Sequence, residues 1–254
     1  MERVTLVGRV RPFLLLIVLL IIWELFSRFV VPQYDPSGLS LPPPSSGFAD
    51  AINLLKQGFL LQHVLASARR VYFGFALAAL VGIPIGILMG MFDTALRQLT
   101  PIVGILRPIP PVAWIPITLL WFGVTDRQQY FIIFIGTIFP LILHTVAGVR
   151  TVDPVLVRAA RSLGADSNNL FRLLLTASMP SIFLGVRIAL GLGWFIIVAS
   201  EMVSASTGLG FLITEARTAM VTQRMYVGMF AIGFIGYAQD RLLVWLERKM
   251  IPWK

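Results

Sequence analysis

Residues 153–166 read DPVLVRAARSLGAD, a stretch with a helix start at one end and a helix stop near the other. Asp153 suits an N-cap, Pro154 the first helical position, and Gly164 the left-handed position just past a helix end. Asp166 can cap the next helix at once. The spacing therefore predicts a short helix, a sharp turn and a second helix. The stretch is polar and basic, yet it lies between two apolar blocks long enough to cross a bilayer, and that placement decides the fold.

Six segments reach or approach the roughly 20 helical residues that a bilayer core of about 30 Å requires. They run approximately 12–31, 71–92, 101–122, 128–148, 181–201 and 225–246. The chain is 57% hydrophobic and 13% charged, with a mean hydropathy of +0.84, far more apolar than ordinary globular usage. An all-α integral membrane protein with six transmembrane helices is predicted. The first segment follows Arg3, Arg9 and Arg11 and resembles a signal peptide. It continues through IIWELFSRFVV without a small-x-small cleavage site, so a retained span is expected.

Three regions follow. Residues 1–31 hold the tail and first helix. Residues 32–66 hold the linker, VPQYDPSGLSLPPPSSGF from Val31 on, whose prolines prevent a spanning helix, and then the start of an amphipathic lead-in that carries His63 and, just past 66, Arg69. Residues 67–254 form the expected core domain. With the N-terminus inside, the cytoplasmic flanks hold Arg3, Arg9, Arg11, Arg97, Arg150, Arg158, Arg161, Arg172, Arg241, Arg248, Lys249 and Lys254. The outer flanks hold Arg28, Lys56, Arg69, Arg70, Arg127, Arg217 and Arg224. Twelve cations against seven predict that both termini are cytoplasmic.

The net charge of +9 is spread between apolar blocks instead of forming one basic face, which points to membrane topology and away from nucleic acid. The absence of cysteine excludes a disulfide framework, a thiolate metal site and a cysteine nucleophile. Two histidines leave little for an all-protein zinc site. No metal or cofactor bound by this chain is expected. No repeat of 20–50 residues and no duplicated half is evident, which weakens the case for an inverted-repeat carrier.

Within span two, Gly74, Ala78, Gly82, Gly86 and Gly90 recur at every fourth position and would let a neighbouring helix approach closely. Pro84 sits mid-span there. Pro108, Pro110, Pro111 and Pro116 crowd span three, LRPIPPVAWIPITLLWFG, which therefore cannot be a uniform helix. Broken backbone at membrane depth is tolerated where it is buried in protein or lines a wet cavity, so span three is a candidate pathway wall. A kinked packing helix is the other reading. Arg107, Trp114 and Trp121 fall at intervals of seven, roughly along one face. They suit either an anion path or, for the tryptophans, interfacial anchoring.

Glu24 and Arg28, four apart, are expected to pair. His144, Arg187, Glu201 and Asp240 have no evident local partner; each either marks the path or sits at an interface. The segment STGLGFLITEAR reads as a gating or re-entrant loop turning at Gly208 and Gly210, or as an ordinary connector. No GxxxxGK[ST] occurs, so any ATP chemistry must come from another chain.

The turn itself resembles that of a known family. In the permease subunits of bacterial ABC importers a cytoplasmic loop carries E-A-A, three residues, then Gly. Here RAARSLG runs from Arg158 to Gly164, with Ala159, Ala160 and Gly164 in place and arginine where the family usually has glutamate. Leu175 and Thr176 stand where leucine-proline is usual, one residue closer to Gly164. The likeness covers nearly the whole chain and is nearest to the nitrate, sulfonate and taurine branch. It rests on HVLASARRVYFGFALAALVGIPIGILMG, LRPIPPVAWIPITLLWFG, FPLILHTVAGVR, MPSIFLGVRIALGLGW and DRLLVWLERK.

The resemblance implies a type I (MetI-like) permease fold in a bacterial inner membrane and no covalent chemistry by this chain. It implies a second permease copy, two ATPase subunits carrying ATP and Mg, and an extracytoplasmic solute-binding protein. The coupling loop would be residues 150–178, with Arg158, Ala159, Ala160, Arg161, Gly164, Ala165 and Asp166 at the contact. Arg107, Trp114, Trp121, His144, Arg187 and Glu201 are the pathway candidates, for a small anion such as a sulfonate, taurine, nitrate or bicarbonate. The alternative is an ATP-independent carrier or channel, for which His144 and Glu201 are the only suggestive pieces. A membrane hydrolase or transferase finds no paired carboxylates, metal spacing or nucleophile with its base.

Overall fold

The computed structural model describes residues 6–35 and 40–252, with side chains from Leu14 onward. Arg3 and Lys254, and the side chains of Arg9 and Arg11, lie outside the described residues. The helices are α1 (Leu6–Phe29), α2 (Val31–Tyr34), α3 (Pro44–Lys56), α4 (Phe59–Met91) and α5 (Asp93–Leu106). A 3-10 turn (Pro111–Trp114) precedes α6 (Ile115–Phe122), and then come α7 (Asp126–Arg150), α8 (Pro154–Ser162), α9 (Ser167–Ser204), α10 (Leu209–Thr218) and α11 (Thr222–Met250). Among the described residues there is no strand. Five stretches, α1 with α2, α4, α7, α9 and α11, are long and apolar enough to cross a membrane. A sixth, α5 with the turn and α6, is bent by 79°.

Helix α7 is the axis of the bundle, with α4 on one side and α9 on the other. Lipid offers no hydrophobic drive for helices to associate, so contact depends on close backbone approach, and the small residues of α4 supply it. A Cβ added at Gly74 would come 2.7 Å from Ile133 Cβ, at Gly86 2.6 Å from Thr145 Cβ, and at Gly90 2.6 Å from Val149 Cβ. The second seam uses the same device from both sides. A Cβ at Gly148 would meet Ser181 Cβ at 2.8 Å, and one at Gly185 would meet His144 Cβ at 2.7 Å. Around these seams Val71, Ile133, Ile197, Leu209 and Leu212 form one buried cluster, and Ala78, Leu141, Ile142 and Ala189 another.

Polar side chains tie the outer helices to this core. Arg28 Nε donates to Glu24 Oε1 at 2.6 Å, and Ser45 adds its hydroxyl and amide to the same carboxylate, fixing the start of α3 against α1. Arg187 on α9 donates to Asp240 Oδ1 on α11 at 2.8 and 3.0 Å, so these two residues, unpaired along the sequence, pair with each other. Trp194 Nε1 donates to Gln239 Oε1 at 3.0 Å beside them.

Two expectations are corrected. The division between 66 and 67 falls inside a continuous helix, because no breaker lies between Gly58, at φ +73, and Pro84; the lead-in is the first part of α4. Arg107, Trp114 and Trp121 do not share a face. Their spacing presumes an unbroken helix, and the chain leaves α5 at Leu106, where Pro108, Pro110 and Pro111 prevent its continuation.

The seam yields a paired prediction. Gly86→Leu overpacks the α4–α7 contact, an effect that typically costs about 1–3 kcal/mol. Gly104→Leu, where an added Cβ meets nothing within 4 Å, stays near wild type. Thermal unfolding of the two purified variants in one detergent measures the difference.

Candidate functional site

Three places in the bundle carry polar chemistry, and the first is the capped turn at one end. Asp153 accepts from Val155 N at 2.7 Å, and Pro154 opens α8. At the other end Gly164, at φ +82, donates to Arg161 O at 3.0 Å, while Ala165 N donates to Ala160 O at 3.0 Å. This is the Schellman pattern, in which a left-handed residue returns the last helical carbonyls to local donors. Asp166 then caps α9, accepting from Asn169 N at 2.8 Å. These bonds all close within the turn itself, so its shape is set locally. No α8 residue is buried, and Val155, Leu156 and Leu163 are exposed, Leu163 at 88%. Arg158, Ala159, Arg161, Gly164 and Asp166 are exposed as well; Ala160 and Ala165 are half-buried.

The second place is a groove of about 460 Å³ beside the broken span. Arg107, Pro110 and Pro111 form one wall, with His144 on α7 and Ile188 and Phe195 on α9 opposite. Gly136 lies between the break and α9: a Cβ there would come 3.0 Å from Pro111 Cγ and would run into Ile196 Cδ1. The groove is mostly apolar, with a cation and an imidazole at its edge. Trp114 lines a separate apolar cavity of about 290 Å³, and Trp121 packs against Phe122 and Phe131. Arg187 turns instead to α11 through Asp240.

The third place lies at the opposite end from the turn. Glu201 is 1% exposed. Its carboxylate accepts from Arg70 Nη1 at 2.9 Å, from Ser67 Oγ at 2.8 Å and from Gly210 N at 3.0 Å. Arg70, 5% exposed, also donates to Asp126 Oδ1 at 2.7 Å and to Thr207 O at 2.5 Å; Arg69 pairs with the same aspartate from outside. Leu209 N donates to Ser67 Oγ at 2.8 Å and Gly208 N to His63 Nδ1 at 2.9 Å. The two glycines are dictated by this packing. A side chain at Gly208, whose φ is +120, would enter the Glu201 carboxylate, and one at Gly210 would meet Glu201 Cβ at 2.8 Å. Glu201 is thus brought to Gly208 and Gly210, away from the groove that holds Arg107 and His144.

Sequence reasoning missed Ser67, Asp126, Gln128, Gln129 and Ser204, all in or beside this cluster. Ser204 Oγ donates to Gln128 Oε1 at 3.1 Å and accepts from Gln129 Nε2 at 3.2 Å. The available signal was two adjacent glutamines in an apolar span and serines four apart at Ser200 and Ser204. Among the described residues no group of three His, Asp or Glu is placed to hold a metal ion.

The described residues form a bundle of helices long and apolar enough to cross a membrane, with an exposed capped turn at one end and a groove beside the proline-broken segment. Comparison with known proteins gives its family. The profile described as "Binding-protein-dependent transport system inner membrane component" matches residues 82–252. The chain is 37% identical over 241 residues to a putative ABC transporter permease of Methanocaldococcus jannaschii, covering 92% of this chain and 88% of that one. It is 36% identical over 223 residues to the taurine transport system permease TauC of Escherichia coli, covering 85% and 81%. Over 253 residues it is 32% identical to the nitrate import permease NrtB of Synechocystis, covering 96% and 90%. Its fold superposes on an inward-facing structure of the MetNI methionine ABC transporter with a TM-score of 0.60 at 18% identity, over 74% of this chain and 96% of that one. The chain belongs to the binding-protein-dependent transport permeases, in the branch that includes the taurine and nitrate ABC permeases.

The buried ion pair makes a stability prediction. Arg70→Ala leaves Glu201 buried without its cation, a change that typically costs about 3–5 kcal/mol. Arg70→Ala with Glu201→Ala costs less than the two single substitutions added together. Unfolding midpoints of the three variants in one detergent decide this.

Proposed function

We propose that this chain forms the translocation path of an ATP-driven importer for a small anion of the sulfonate, taurine, nitrate or bicarbonate class. A second copy faces it across the path. Two partner ATPase subunits, carrying ATP and Mg, dock on the turn at Gly164, Ala165 and Asp166, and an extracytoplasmic solute-binding protein delivers the anion. The membrane is the bacterial inner membrane, with both termini on the ATPase side. This chain holds no nucleotide and makes or breaks no covalent bond.

The observation that carries the reading is the turn. It is rigid by its own hydrogen bonds, exposed, and offers Val155, Leu156 and Leu163 to a partner. It also leads directly into α9, so a push on the turn moves a span. Arg107 and His144 in the groove supply the donors an anion needs, and the broken span runs along that cavity.

Gly164→Arg disturbs the left-handed position and adds bulk at the docking point, so the ATPase subunits that co-purify with the wild-type chain are lost. Affinity purification with an ATPase assay measures this. Arg107→Gln lowers anion uptake in vesicles at unchanged ATPase association. Unaltered uptake would remove Arg107 from the path.

A further inference from the structure

We propose that Glu201 is a positioning residue of the transport cycle: its carboxylate clamps residues 205–210 over the end of the bundle, and α9 ties that clamp to the turn at Asp166. The inference rests on the proposed function for the source of motion, while the clamp stands on geometry alone.

The loop is held from below at successive positions. Thr207 O accepts from Arg70, Gly208 N donates to His63, Leu209 N donates to Ser67, and Gly210 N donates to Glu201. Backbone groups that a surface loop would give to water are here given to side chains of α4 and α9. Glu201 joins the set, because it also accepts from Ser67 and Arg70, which hold Leu209 and Thr207. A buried carboxylate that loses part of such a set is left uncompensated, so intermediate degrees of release are penalised and the clamp is closed or open as a unit.

Two observations give the clamp a role beyond stability. Residues 205 and 206 line, with Arg70, Asp126 and Gln129, a small polar recess of about 110 Å³ that is already partly open. Gln129 is 1% exposed and, among the described residues, its Oε1 has no hydrogen-bond partner, so lifting the loop would widen access to an unpaired buried acceptor. Glu201 also lies on the helix that Asp166 caps. At about 1.5 Å per residue the 38 residues of α9 form a rod of about 57 Å, unbroken at Pro180, with the turn at one end and the clamp at the other. Displacement of the turn is therefore delivered to Glu201, and the loop lifts when the carboxylate leaves Gly210 and Ser67.

The test uses the complex of this chain with its ATPase subunits in lipid nanodiscs. The chain has no cysteine, so Leu209→Cys gives it a single thiol at a position that is 0% exposed. Its rate of reaction with a membrane-impermeant maleimide reads the opening of the loop. A non-hydrolysable ATP analogue should raise that rate by about tenfold or more, and Glu201→Gln should raise the nucleotide-free rate by a similar factor. Ser67→Ala, a milder change, should fall between and serves if Glu201→Gln does not fold. Met220→Cys, at a 71% exposed position, should react equally fast throughout. The proposal is overturned if the Leu209→Cys rate ignores nucleotide, or if neither Glu201→Gln nor Ser67→Ala changes it. Absence of co-purifying ATPase would defeat the docking reading alone, since the nucleotide-free comparison still decides the clamp.

Discussion

Lipid gives helices no hydrophobic drive to associate, so close packing favours small residues at the contact, and this bundle is arranged around that constraint. Gly74, Gly86 and Gly90 let α4 press on α7, while Gly148 and Gly185 let α7 and α9 do the same. The second seam seats α9 on α7 between Ser178 and Gly185. The same helix carries Asp166 at the turn and Glu201 beneath the loop. Gly136 serves both kinds of neighbour, since a Cβ there would run into Ile196 Cδ1 on α9 and come 3.0 Å from Pro111 Cγ in a segment that is not an α-helix. The groove beside the broken span is thus a product of the packing rule, applied where one partner has lost its helical form.

Polar groups in the apolar zone are divided between two treatments. At the clamp they are satisfied internally, with each donor assigned to an acceptor on another helix or on the loop. At the groove Arg107 and His144 line an open space. Buried groups that are fully paired give shape, and groups that line a cavity keep bonding capacity for something that enters. That contrast separates residues which sequence alone had placed together, because Glu201 and His144 look alike as isolated ionisable positions in apolar runs.

The capped turn was legible in its two caps and its left-handed glycine because each of its bonds joins residues at most five apart: Asp153 to Val155, Ala165 to Ala160, Asp166 to Asn169. Five spans were legible by length and apolarity, the bent sixth segment by its prolines, and the glycine stripe by its period. Helix ends were less so, since the linker's composition suggested a boundary near 66 while one left-handed glycine at 58 sets it. Arg107, Trp114 and Trp121 misled because periodicity carries meaning only along an intact helix. The clamp was out of reach for another reason. Arg70 and Glu201 are 131 positions apart, and Ser67 and Leu209 are 142 apart, so no local pattern records either bond.

The ion pair between Arg187 and Asp240 also bears on how the protein is made. A chain is synthesised from its N-terminus, so α9 enters the bilayer with Arg187 before the carboxylate on α11 exists. Glu201, on the same helix, finds Arg70 already in place on α4. Until α11 is made, Arg187 lacks both of its carboxylate partners, Asp240 and Glu247, and a charge near lipid without its partner is costly. The arrival of α11 therefore both supplies those anions and ties α11 to α9.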